Sequence, residues 1–222
     1  MSKKDLVIFG EKDIAELAKF YFDEDSNYCV KAFCVHDKYR ENKELLGLEV
    51  MDYSQAIKKF SPSTTDFFVA LAYTNMNELR ANICQEIEQN NFKLASYVSS
   101  KLTRFKDFNC GPNCFLLEDN TIQPFVKLGR NITLWSGNHI GHHSTLEDNV
   151  FITSHVVVSG GVNVGRNSFI GVNSTIHDHL SIAPYSLIAA GSLVNKDTEE
   201  NSVYFGSPAK KKEGRKSTDI KI

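Results

Sequence analysis

The sequence has little of what would place it in a membrane, in a secretory compartment or on nucleic acid. No stretch approaches the ~18 or more uncharged apolar residues that a spanning helix requires. The N-terminus MSKKDLVIFGEKD lacks an apolar signal core followed by a cleavage site, so the chain reads as cytoplasmic. A formal net charge of -2 and a pI near 6.4 supply no bulk attraction to nucleic acid or to an anionic bilayer. The cysteines number five, an odd count that fits free thiols better than a disulfide framework. CGPNC (Cys110, Cys114) has no matching second pair for zinc, and no metal is expected. What is there is a chain of 222 residues, 41% hydrophobic and 23% charged, enough for two modest globular domains or one large one. Its distribution is uneven: six of the seven histidines and nine of the thirteen glycines lie between residues 110 and 199.

That stretch repeats every six residues. Stepping by six from Cys110 lands on Leu116, Ile122, Leu128, Leu134, Ile140, Leu146, Ile152, Val158, Val164, Ile170, Ile176, Ile182, Ile188 and Val194, so fourteen of these fifteen positions hold Leu, Ile or Val. A helix would return an apolar residue every three or four positions and a half-buried strand every two. A strict six means one inward side chain per short flat strand plus a corner. The fourth residue after each anchor is mostly small or β-branched, which suits a tight inner corner. Gly129, Gly141, Gly165 and Gly171 directly follow an anchor, where close backbone favours a missing side chain.

The hexads LGRNIT, IGHHST, VGRNSF and IGVNST resemble the repeats of the left-handed parallel β-helix acyltransferases. The resemblance implies three hexads per triangular coil, hence about five coils, and it alone supplies the hand. Each coil stacks its anchors on the next, so one core runs through the prism.

Residues 1–97 follow another rule. Apolar strands are read at Leu6–Gly10, Cys29–Val35, Asp66–Ala72 and near Lys93–Tyr97, with helices from Ile14 to about Phe22, Tyr53–Phe60 and Asn75–Asn90. This is the βαβ alternation of a parallel sheet covered by helices. The expected fold is therefore α/β plus all-β: a small Rossmann-like domain at 1–97, a linker at 98–109, a β-helix at 110–199 and a tail at 200–222. Gly10-Glu11-Lys12-Asp13 has one glycine where a dinucleotide fingerprint needs three, which argues against NAD or FAD. Ligands of open α/β sheets sit at the carboxyl ends of the strands, which selects Gly10, His36, Asp37 and the segment 72–75 with Tyr73 and Asn75.

A small βαβ domain followed by a β-helix resembles the bacterial nucleotide-sugar N-acetyltransferases of the sialic acid and bacillosamine type, over nearly the whole chain. The resemblance implies acetyl-CoA as donor, a nucleotide-linked amino sugar as acceptor in glycan or O-antigen assembly, and a homotrimer with active sites between subunits. Trp135 and Phe151 are read as exposed residues available for burial against a partner subunit. Members usually carry a Gly-x-Ser/Gly-Gly-His turn after the first strand, where this chain has Gly-Glu-Lys-Asp.

Acyl transfer to an amine needs a base, and a neutral histidine is suited to it. Carried over hexad by hexad, the family's base falls on His142, with His143 the next candidate and Glu147 or Asp148 the candidate orienting carboxylate. His155 is a further candidate, for base or substrate contact. The same register puts Gly160 N–H at the thioester oxygen, Val172 and Ala190 along the pantetheine groove, and Gly206, Pro208 and Lys210 of FGSPAK near the adenine end. Two other readings stay open on these residues. One is a sugar or serine O-acetyltransferase of the same fold. The other is a non-catalytic β-helix, against which the absence of a repeated Thr-rich surface ladder counts.

Overall fold

The computed structural model describes residues 3–106 and 108–220. These residues divide into two compact units, Met1–Ala72 with Arg80–Tyr97 and Tyr73–Leu79 with Val98–Ile222.

In the first unit, β1 (Lys4–Phe9), α1 (Asp13–Glu24), β2 (Tyr28–Val35), β3 (Glu44–Leu45), β4 (Leu48–Asp52), α2 (Tyr53–Lys59), β5 (Thr65–Val69) and α3 (Glu78–Gln89) follow one another. The sheet order is β3-β4-β2-β1-β5, parallel throughout except for the β3–β4 pair. The near-continuous apolar runs of β1 and β5 follow from burial on both faces. Val7, Phe9, Phe67 and Val69 pack with Ile83 and Ile87 of α3, while the Phe68 ring on the other face stacks edge-on with Phe22 of α1 at 5.0 Å. The β3–β4 hairpin turns through Leu46 and Gly47, both at positive φ. Pattern reading missed that hairpin because ELLGLEV is short and mixes charge with apolar residues.

In the second unit the six-residue rhythm is literal. Fourteen two-residue strands run among the described residues from Phe115–Leu116 to Leu193–Val194, one every six residues. From Phe115–Leu116 to Thr175–Ile176, each pairs in parallel with the strand eighteen residues on, as Thr133↔Phe151 and Leu134↔Ile152. The chain thus visits three parallel sheets in rotation. Every anchor from Leu134 to Ile188 is fully buried, and together they form one continuous core cluster. Burying each such side chain stabilises by about 1.5–3 kcal/mol.

The corners have their own periodicity. The third residue after each anchor is left-handed at every step from Asn113 to Gly191, a register occupied by Asn, Asp, Gly, His, Phe or Tyr. Asn, Asp and His tolerate that conformation better than other side-chain-bearing residues. Down one corner the amides form a ladder: Asn113 donates to Asn131 at 2.8 Å, Asn131 to Asn149 at 2.9 Å and Asn149 to Asn167 at 3.2 Å. Asn167 then donates to the Met76 carbonyl at 2.8 Å.

Met76 belongs to the segment Tyr73–Leu79, which lies against one face of the repeat. Tyr73 packs edge-on against Phe151 and Phe169, and Met76 is buried with Leu187 and Val203. Two expectations are corrected here. Phe151 is 1% exposed, so it is covered within the chain rather than left for a partner, and Trp135 is half-buried. Tyr73 and Asn75 group with the repeat, because the apolar faces of Tyr73 and Met76 find their burial there. The stack closes with an antiparallel pair, Ser202–Phe205 and Lys210–Lys216. The lysines of that last strand blunt an open sheet edge.

Candidate active site

His142 and His143 stand at one corner, directly after Ile140-Gly141. Both rings are exposed, and their Nδ1 atoms face each other at 3.1 Å with the ring planes at 85°. The corner below supplies the supports. Gln123 Oε1 accepts the His142 backbone N–H at 2.9 Å, and the Phe125 ring lies 4.7 Å from the His143 ring. Neither support was anticipated, although the signal was present: Phe125 precedes His143 by eighteen residues, one full turn of the repeat.

Above His142, again by eighteen residues, is Gly160. A Cβ placed there would lie 2.6 Å from His142 Cε1 and 2.8 Å from Nε2. The imidazole therefore fills the space that a side chain at 160 would occupy. Among the described residues no acceptor takes the Gly160 N–H, whereas the adjacent Gly161 N–H donates to the His142 carbonyl at 2.8 Å. A ring nitrogen can accept a proton and an unclaimed N–H can donate to an anion, and this corner holds one of each.

The other residues of the sequence reading fall elsewhere. Glu147 does not orient His142: its carboxylate accepts the Arg166 N–H at 3.0 Å and the Asn163 amide at 3.3 Å. Asp148 accepts the Arg130 N–H at 2.9 Å. A corner N–H without a ladder partner draws a nearby carboxylate, and both acids answer that need. His155 lies in a different corner column, over Gly137, whose Cβ would meet its Nδ1 at 2.5 Å. Val172 and Ala190, exposed and eighteen residues apart, sit in a column separate from Gly160. Gly206 and Pro208 form the turn between the closing strands, tied back by Leu193 N–H to the Gly206 carbonyl and Ala209 N–H to the Leu193 carbonyl. Lys210 is exposed at the start of the last strand.

No family model matches the chain. Solved structures do. The acetyltransferase domain of PglB from Neisseria gonorrhoeae, in complex with acetyl coenzyme A, superposes with a TM-score of 0.84 at 19% identity, covering 94% of this chain and 99% of that one. PerB from Caulobacter crescentus, in complex with CoA and GDP-perosamine, gives 0.84 at 20%, covering 94% and 97%. WeeI from Acinetobacter baumannii gives 0.80 at 16%, covering 93% and 98%. The fold is that of these bacterial acetyltransferases.

Within this acetyltransferase fold, the first unit brings Gly10 and His36 to the carboxyl ends of β1 and β2. Gly10 has φ +141, and a Cβ there would lie 2.6 Å from the Ala70 carbonyl oxygen, so glycine is needed for close strand packing. His36 is held, its Nε2 3.1 Å from Glu86 and its ring edge-on to Phe9 and Tyr53. Burial, with the Glu86 charge adding to it, pushes the Tyr53 phenol up to about 12. Asp37 donates its N–H to Asp52 at 2.8 Å and accepts from Arg40. The Ser54 hydroxyl and the Asp37 and Ser54 N–H groups hold the Asp52 carboxyl below the usual carboxylate range. Glu11, which the sequence reading passed over, is buried beside Gly10 and accepts the Glu41 and Asn42 N–H groups at 2.8 and 3.0 Å. No described helix is long and apolar enough to cross a membrane. Among the described residues no group of three or more His, Cys, Asp or Glu is placed to hold a metal ion.

Proposed function

We propose that this chain is an acetyl-CoA-dependent N-acetyltransferase acting on the amino group of a nucleotide-linked amino sugar, with His142 as general base. One observation carries the reading: the His142 ring lies against Gly160, whose N–H is unclaimed, on a fold whose solved examples hold acetyl coenzyme A, or CoA with GDP-perosamine. Acetyl-CoA, when bound, supplies an activated thioester. The residues present fit one, because His142 Nε2 lies beside Gly160, whose N–H no described residue takes.

The ammonium form of the acceptor cannot attack, and a neutral amine must shed a proton as it adds to the thioester carbon. His142 Nε2 accepts that proton as the N–C bond forms, and the Gly160 N–H donates to the acyl oxygen as negative charge builds there. Coenzyme A leaves as thiolate, so the chain need not carry the acyl group itself. None of the five cysteines lies between His139 and His179, which supports direct transfer. Val172, Ala190, Gly206, Pro208 and Lys210 are the proposed coenzyme contacts. Gly10, His36, Asp37, Tyr73, Asn75 and His155 are the proposed acceptor contacts, and the first unit is taken as a Rossmann-like holder of the nucleotide. The same reading takes the repeat as five left-handed coils, the working form as a cytoplasmic homotrimer, and the domain limits as 1–97 and 110–199, with 73–79 assigned to the repeat.

The test is release of CoA thiol from acetyl-CoA against UDP-, dTDP- and GDP-linked amino sugars. Turnover with at least one is expected, and His142→Ala should lower it by roughly a hundredfold or more, the share of a lost general base. Near-normal turnover of His142→Ala overturns the assignment of the base. Turnover only with hydroxyl acceptors overturns N-acetylation in favour of O-acetylation.

A further inference from the structure

We infer that His143 is the positioning residue of this site: its Nδ1 lone pair accepts the Nδ1–H of His142 and so holds His142 in the tautomer whose Nε2 is free to take a proton. The inference rests on the reading of His142 as base. It is carried by the 3.1 Å separation of the two Nδ1 atoms. Two ring nitrogens at that distance share one proton. Two lone pairs facing each other repel, and two N–H groups collide.

One proton permits two arrangements. If His143 donates, the neutral His142 carries its proton on Nε2, beside Gly160, and is no base. If His142 donates, its Nε2, 2.8 Å from where a Cβ of residue 160 would stand, keeps its lone pair free. Proton uptake during transfer makes the choice one-sided. Once Nε2 has taken the proton of the attacking amine, both nitrogens of His142 carry hydrogen, and only an acceptor at His143 Nδ1 accommodates them. The proton that arrives leaves again from Nε2 to solvent, and the shared Nδ1 proton stays in place.

The rest of the corner holds His143 in this role. Its φ of +59 is the left-handed corner conformation, the Phe125 ring lies 4.7 Å from its own, and its N–H donates to the Pro124 carbonyl at 3.3 Å. The nearby carboxylates that could have orientated His142, Glu147 and Asp148, accept backbone N–H groups elsewhere. A neutral acceptor therefore stands where an acidic one would serve.

Three substitutions separate the acceptor from the backbone. His143→Gly keeps the left-handed corner and removes the acceptor. His143→Asn and His143→Asp keep a residue that tolerates the corner and restore an acceptor oxygen. The full-length protein is labelled with 15N-histidine, and the His142 ring signals are assigned by their loss in His142→Gln. The wild type is expected to show His142 protonated on Nδ1. His143→Gly should show a mixture of tautomers and a kcat lowered about tenfold or more, part of the 10²–10⁴ that a general base contributes, with KM for both substrates within about twofold. His143→Asn and His143→Asp should recover the Nδ1–H signal and most of kcat. A wild-type His142 protonated on Nε2 overturns the inference, and so does a His143→Asn variant as impaired as His143→Gly. The ring signals are read without turnover. Activity surviving in His142→Ala would therefore remove the functional reading and leave the tautomer result standing.

Discussion

At the residue scale, the crowding of histidines has two physical causes. His143, His155 and His179 occupy left-handed corners, at φ of 59°, 57° and 57°, where the backbone itself favours His over most residues with a side chain. His142 is off that register and lies against Gly160. The sequence showed which histidines avoid the anchors. It did not show which of them a corner accounts for, because φ is a property of the folded turn. Glu147 was misjudged for a related reason: which corner N–H groups lack a ladder partner appears only once strands are paired. The two glycines around His142 are distinguishable by what a methyl group would meet. At Gly160 it would meet the His142 imidazole, a side chain that can rotate away, whereas at Gly141 it would meet Ser159 and Gly160 backbone at 2.5–2.7 Å. Gly160→Ala is expected to leave the melting temperature within about 2 °C and lower kcat by roughly tenfold or more, by displacing the proposed base. Gly141→Ala is expected to destabilise by about 1–3 kcal/mol, the cost of overpacking. Paired melting curves and turnover numbers check both, and the reverse pattern would remove Gly160 from the site.

At the element scale, the hexad was readable because the apolar step of six survives every other compositional demand. Its strands lie where the anchors predicted, at positions such as His139–Ile140 and Phe169–Ile170. Most βαβ elements of the first unit were readable within a few residues; α1, for instance, runs on to Glu24 rather than ending near Phe22, but the strand expected near Lys93–Tyr97 does not join that sheet, where Leu94 makes a single bridge to Phe67. The asparagine ladder was not readable, since Asn at steps of eighteen is also what isolated corners would select. Its contribution can be isolated at Asn149, which accepts from Asn131, donates to Asn167 and has φ +63. Asn149→Gly removes both side-chain bonds and keeps the corner, costing about 1–3 kcal/mol at ~0.5–1.5 per bond. Asn149→Ala removes the same bonds and adds left-handed strain of about 1 kcal/mol or more. Alanine should therefore be the less stable variant, the reverse of the usual order of these two residues. Urea unfolding of both variants measures the difference, and Ala above Gly would mean that the corner is not left-handed in solution.

At the scale of the whole molecule, the second unit has a core with a direction. Ile152 stacks between Leu134 and Ile170, with further anchors beyond each. Ile122 stands near one end of its own column, with Ile140 on one side and, on the other, only the Thr103 carbonyl accepting its N–H at 2.9 Å. Both are buried isoleucines, at 0% and 3% exposure, so removing the same atoms isolates the effect of position. In a stack where each turn is stabilised by its neighbours, a gap in the middle weakens two interfaces, and a gap at the end weakens mainly one. Ile152→Ala is therefore expected to cost about 2–5 kcal/mol and to lower hydrogen-exchange protection along the repeat as a whole. Ile122→Ala is expected to cost less, with protection lost chiefly over residues 115–122 and retained around Ile170 and Ile188. Native-state hydrogen exchange with peptide resolution distinguishes the two. Equal losses in both variants would show that the repeat opens as one unit, without the end-to-middle gradient that nearest-neighbour stacking requires.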